Sequence, residues 1–157
     1  MLTDYELATL YEVLDPEPYN VATLTIGDLC RILADASHIE VVAKQIADKD
    51  EVRAVRVAKG ITQGVERLLK LIQRWQPKPS ADQKAAAEGV EFPSLAEAIL
   101  LETVEAYHLH STEEAERLPV GDWLIYHKQQ SASAMYQANY DVQQRRKLEQ
   151  DRQQRNH

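Results

Sequence analysis

Three histidines, His108, His110 and His127, with Glu113 and Glu114 between them, are the side chains whose types could hold a metal ion or move protons. A zinc site needs ligands that converge, as two histidines four apart on one helix face do. The spacings here are two and then seventeen, so these histidines are expected to be exposed or partnered within the fold, and no metal is expected. Glu113 and Glu114 are adjacent and would diverge on a helix, which makes them poor acid–base partners. Cys30, the single cysteine, lies beside Leu29, Ile32 and Leu33 on the apolar side of an expected helix. A nucleophilic thiolate needs a cationic, partly exposed setting, and Arg31 would point elsewhere, so Cys30 is expected to be a small core residue. The chain has no Gly-rich phosphate loop, no Gly-x-Ser-x-Gly elbow and no HExxH. Its five glycines leave few loops to carry catalytic groups. No enzymatic activity and no cofactor are expected.

The elements that would position these residues all read as helices. Thr3 with Glu6, Thr25 with Asp28, Ser37 with Glu40, Ser94 with Glu97 and Ser111 with Glu114 carry the spacing of N-terminal caps. Asp15-Pro16-Glu17-Pro18 should end the first helix, and residues 19–25, with Val21, Thr23 and Thr25, could form a short extended piece. A long helix is expected from about Glu51 to Trp75, with Val55, Ala58, Ile61, Val65, Leu68, Leu69, Ile72 and Trp75 at three-and-four spacing. Its opposite face carries Arg53, Arg56, Lys59, Glu66, Arg67, Lys70 and Arg74. Gly60 and Gly64, four apart, would let another helix approach closely. The expectation is an all-α protein: an N-terminal helical bundle over 1–75, a linker over 76–93, and a C-terminal unit over 94–157 ending in a long helix from near Val120. Whether the halves share one core is left open.

The 157 residues suffice for one core or two small helical subdomains. A net charge of -7 argues against nucleic acid as main partner. The last fifteen residues hold five basic and two acidic groups and read as a solvated helix end or a partner-binding segment. A lone cysteine permits no intrachain disulfide. Met-Leu-Thr-Asp-Tyr-Glu has no basic region followed by an apolar run, and no stretch reaches the roughly 18 apolar residues of a membrane span. A cytoplasmic protein with no membrane partner is therefore expected.

Candidate contact residues cluster late in the chain. Trp123, just after Pro119 and Gly121, is a candidate anchor because tryptophan is enriched at binding hot spots. Its replacement by alanine is expected to weaken partner binding more than it unfolds the protein. Leu118, Leu124 and Tyr126 flank it, and Tyr136 and Tyr140, four apart, share one helix face.

Residues 10–29, Leu-Tyr-Glu-Val-Leu-Asp-Pro-Glu-Pro-Tyr-Asn-Val-Ala-Thr-Leu-Thr-Ile-Gly-Asp-Leu, resemble the N-terminal part of small proteins from the tail-assembly region of tailed bacteriophages. Residues 98–124 are similar to a recurrent phage pattern, in which an apolar helix ends in an aromatic and His-Leu. Ser and acidic residues, Leu-Pro and a helix with an aromatic start then follow. The family named by this resemblance is the tail assembly chaperones. It implies a small helical protein without active site, which coats a tape-measure protein and helps recruit tail-tube subunits in the host cytoplasm. The contact would then lie on the 94–128 unit and the small-residue face at 131–138. The alternatives are a virion part, such as a head–tail connector or baseplate accessory assembled as a homo-oligomer, and a cellular helical adaptor or regulator.

Overall fold

The protein is all-α; the computed structural model describes residues 3–76 and 78–155. Pro77 of the expected linker and Asn156 and His157 of the tail lie outside the described residues. The elements are α1 (Asp4–Val13), a 3₁₀ turn (Val21–Thr23), α2 (Ile26–Ala34), α3 (His38–Ala47), α4 (Glu51–Trp75), α5 (Ala81–Ala86), α6 (Leu95–Ala106), α7 (Thr112–Glu116) and α8 (Val120–Arg155).

Side-chain caps set most of the starts. Thr3 with Glu6 and Ser94 with Glu97 form reciprocal capping boxes, and the Thr25 and Ser111 hydroxyls accept from the amides of Asp28 and Glu114. Ser80 with Gln83 makes a further box that opens α5 inside the expected linker. Ser37 does not cap α3. Its backbone is right-handed helical, which turns the hydroxyl away, and its N–H instead donates to Asp35 Oδ1 at 2.9 Å. Within residues 19–25, Val21–Thr23 are not extended, whereas Asn20, Leu24 and Thr25 are, and Thr25 bridges to Pro119. Asn20 Oδ1 accepts from the Ala22 amide at 3.1 Å and closes a 3₁₀ turn, a local bond that outweighs the β-branched residues.

One buried cluster holds the fold together. The inward row of α4 (Val57, Ile61, Val65, Leu68 and Ile72) belongs to one cluster with Leu29 and Ile32 of α2, Ile39 and Val42 of α3, Ile99 of α6, and Val120 and Trp123 of α8. The two halves of the chain therefore share a core. Each fully buried aliphatic there stabilises by about 1.5–3 kcal/mol. A two-bond clasp joins the halves: Ile26 N–H donates to the Leu118 carbonyl and Val120 N–H to the Leu24 carbonyl, both at 2.8 Å. Among the described residues no α-helix packs on Gly60 and Gly64. The segment running through Glu17, Tyr19 and Val21 lies on them, so closely that a Cβ on Gly60 would run into the Glu17 carbonyl. The cationic face of α4 holds that segment down. Arg53 forks onto the Glu17 carboxylate at 3.0 and 3.2 Å, Arg56 donates to the Asp15 carbonyl, and Lys59 donates to the Leu14 carbonyl.

Candidate protein-binding surface

The six expected contact residues separate into two groups. Trp123 is 1% exposed and belongs to the core. It is therefore corrected from contact anchor to packing residue: the turn at Leu118–Pro119 aims the first turns of α8 into the cluster, where an indole is driven by its apolar area. Leu118 and Leu124 are partly buried and packed against the same core, and Tyr126 is half-buried. Tyr136 and Tyr140 alone stand out from the protein, 72% and 47% exposed.

A small polar network surrounds Trp123. Its Nε1–H donates to Glu102 Oε2 at 2.8 Å, and His127 Nδ1 lies 3.0 Å from the same oxygen. The carboxylate requires the imidazole hydrogen on Nδ1. His127 stacks on Trp123 with ring centroids 4.8 Å apart, and the Trp75 ring, tilted by 41°, has its centroid 6.3 Å from the imidazole. The buried His127 Nε2 has no hydrogen-bond partner among the described residues. His127 holds the Glu102 carboxyl below the ordinary glutamate range, with a smaller contribution from the indole, against burial. A depressed carboxylate stabilises the fold above its unfolded pKa, and that stability is lost as pH falls through the folded value. The melting temperature should therefore drop below about pH 4.5, and Glu102→Gln should flatten that acid limb while lowering stability at neutral pH. Thermal melts of both proteins between pH 3 and 7 check this; parallel acid limbs would remove Glu102 as their cause.

The other candidates for chemistry stay apart. His108 and His110 are exposed at the α6–α7 corner, where His108 takes a left-handed backbone (φ 51°) and Leu109 N–H closes the turn onto the Val104 carbonyl. Glu113 and Glu114 are exposed, with Glu114 committed to the α7 start. Among the described residues no set of three or more His, Cys, Asp or Glu side chains is gathered as metal ligands. The Cys30 thiol is half-buried, donates weakly to the Ala96 carbonyl, and is pushed up to about 11 by burial and then by Glu116, against Arg31. It is a protonated packing residue at neutral pH.

What remains as an interaction surface is α8 itself. From Lys128 to Arg155 every residue is exposed except Ser131 and Gln144, which are half-buried. These 28 residues span about 40 Å at 1.5 Å each. Ile125, Ala132 and Tyr136 recur at seven and four and lie on the side opposite Trp123 and His127, with Tyr140 beside Tyr136, while Met135 and Val142 are exposed on a separate flank of the helix. The sequence reading missed Met135 and Val142, because which apolar side chains of a helix stay on the surface is known only once its inward face is. Among the described residues no helix is long and apolar enough to cross a membrane. Compared with protein-family models, with curated proteins and with solved structures, the chain matches none.

Proposed function

We propose that this is a non-enzymatic protein-binding protein that acts as a tail assembly chaperone, shielding an elongated, tape-measure-like helical client until tail-tube subunits replace it. The observation that supports this reading is the outer part of α8, from Lys128 to Arg155, which carries Met135, Tyr136, Tyr140 and Val142 exposed along about 40 Å of helix. This stretch gains almost no tertiary packing, the source of most helical stability in proteins, and Tyr136 and Tyr140, exposed four apart on one side, are suited to lie along another helix. Aromatic side chains give such a contact large area with few rotors to freeze.

We place the contact on 131–142, because the 94–128 unit buries Ile99 and Trp123 and partly covers Leu118 and Leu124, leaving only Leu101, Tyr107 and Ile125 as its exposed large apolar groups. The test is co-expression with a tail tape-measure protein, followed by co-purification and titration. The wild type should keep the client soluble. Tyr136→Ala combined with Tyr140→Ala should weaken binding by about 2–4 kcal/mol and leave the melting curve unchanged. A wild type that leaves the client insoluble, or a double variant that binds as well as wild type, would overturn the reading.

A further inference from the structure

A cleft of about 1110 Å³ opens between α1, α3 and α4. It exists because α1 is a thin lid: none of its residues is buried, and Leu7 and Leu10 are only half covered. The floor is apolar, with Leu7, Tyr11, Ala43, Val55 and Ala58. The rim carries Asp4, Glu12, Glu40, Asp50 and Glu51 against Lys44 and Lys49, a net acidic edge around an apolar trough.

The end of α8 has the opposite character. From Gln143 the chain holds Arg145, Arg146, Lys147, Arg152 and Arg155 against Glu149 and Asp151, a net +3 that leaves -10 on the rest of a chain whose total is -7. Arg145, Leu148, Arg152 and Arg155 are spaced three, four and three apart, so they fall on one face of the helix. Leu148, the one apolar side chain of this stretch, is 60% exposed at its centre. Arg145 to Arg152 covers about 10 Å, and the α1 wall from Asp4 to Glu12 about 12 Å. The two lengths match. α8 is anchored on the 3₁₀ turn, α6 and α4, its end beyond Gln144 is exposed throughout the described residues, and none of its residues lines the cleft.

We propose that the basic end of α8 in one copy docks in the α1/α3/α4 cleft of a second copy, with Leu148 on the apolar floor and Arg145 and Arg152 on the carboxylate rim. Each copy then offers one tail and one cleft, a head-to-tail contact that generates a ring or an open chain. The residues differ from those at 131–142, so failure of either proposal leaves the other standing.

The experiment is the solution mass of the full-length protein by light scattering, over a dilution series at low and at high salt. The wild type should associate, and its dissociation constant should rise by about tenfold or more at high salt, because the contact is charge-steered. Arg145→Glu with Arg152→Glu should leave a monomer, as should Glu12→Lys with Glu40→Lys. Mixing the two variants should restore association, since each then supplies the charge that the other's altered end requires. A wild type that stays monomeric, association untouched by either variant, or variants that fail to complement when mixed would each overturn the proposal. All four substitutions are at exposed positions, and unchanged helix content by circular dichroism accompanies each reading.

Discussion

Trp123→Ala should lower the unfolding free energy by about 3–5 kcal/mol, the range for truncating a fully buried aromatic. The side chain is 1% exposed and its Nε1–H bonds to Glu102. Its removal opens a cavity, takes away the ring on which His127 stacks, and leaves half-buried Glu102 and His127 with fewer partners. Against a typical stability of about 5–15 kcal/mol, that is a fifth of the total or more. Urea unfolding followed by circular dichroism measures it. Trp123→Phe separates the contributions: it keeps most of the apolar area, loses the N–H, and should fall by about 1–3 kcal/mol. If Trp123→Ala changes stability by less than 1 kcal/mol, the indole is not seated in the core.

Gly60→Ala should destabilise by about 2–3 kcal/mol, although alanine in a helix interior is intrinsically favoured over glycine by about 1 kcal/mol. The new methyl would run into the Glu17 carbonyl, which is backbone and is itself fixed, because Glu17 N–H donates to the Arg56 carbonyl and Arg53 clamps its carboxylate. Gly64→Ala provides the internal comparison. There the obstacle is Val21 Cγ2, the end of a side chain, and a valine can shift more readily than a clamped peptide. Gly64→Ala should therefore destabilise by less than Gly60→Ala. A thermal melt of each variant decides it, since 1 kcal/mol corresponds to about 2–4 °C for a chain of this size. An unchanged or raised melting temperature for Gly60→Ala would mean that the 15–21 segment does not rest on α4.

Helix identity was legible in the sequence because it is decided locally. The cap at Thr25 needs only Asp28 three residues later, and the burial of Val55, Ile61, Val65, Leu68 and Ile72 follows from a spacing that any amphipathic helix obeys. Where a local rule failed, as at Ser37 and at Val21–Thr23, a neighbouring Asp35 or Asn20 side chain offered the backbone a competing bond. The sequence likewise placed Tyr136 and Tyr140 on one helix face.

Tertiary structure alone decided which apolar residues are surface. Trp123, Ile125 and Tyr136 look alike in sequence, as large apolar side chains on one long helix. Their fates diverge because the clasp between Leu24–Ile26 and Leu118–Val120 fixes the direction in which α8 leaves the core, and so which of its sides is covered. The same holds for Gly60, whose neighbour is a loop forty residues upstream, and for the acidic cleft, whose three walls come from α1, α3 and α4. Spacing within one helix determines which residues share a face. It carries no information about what that face meets, because the meeting partner is brought there by chain segments remote in sequence.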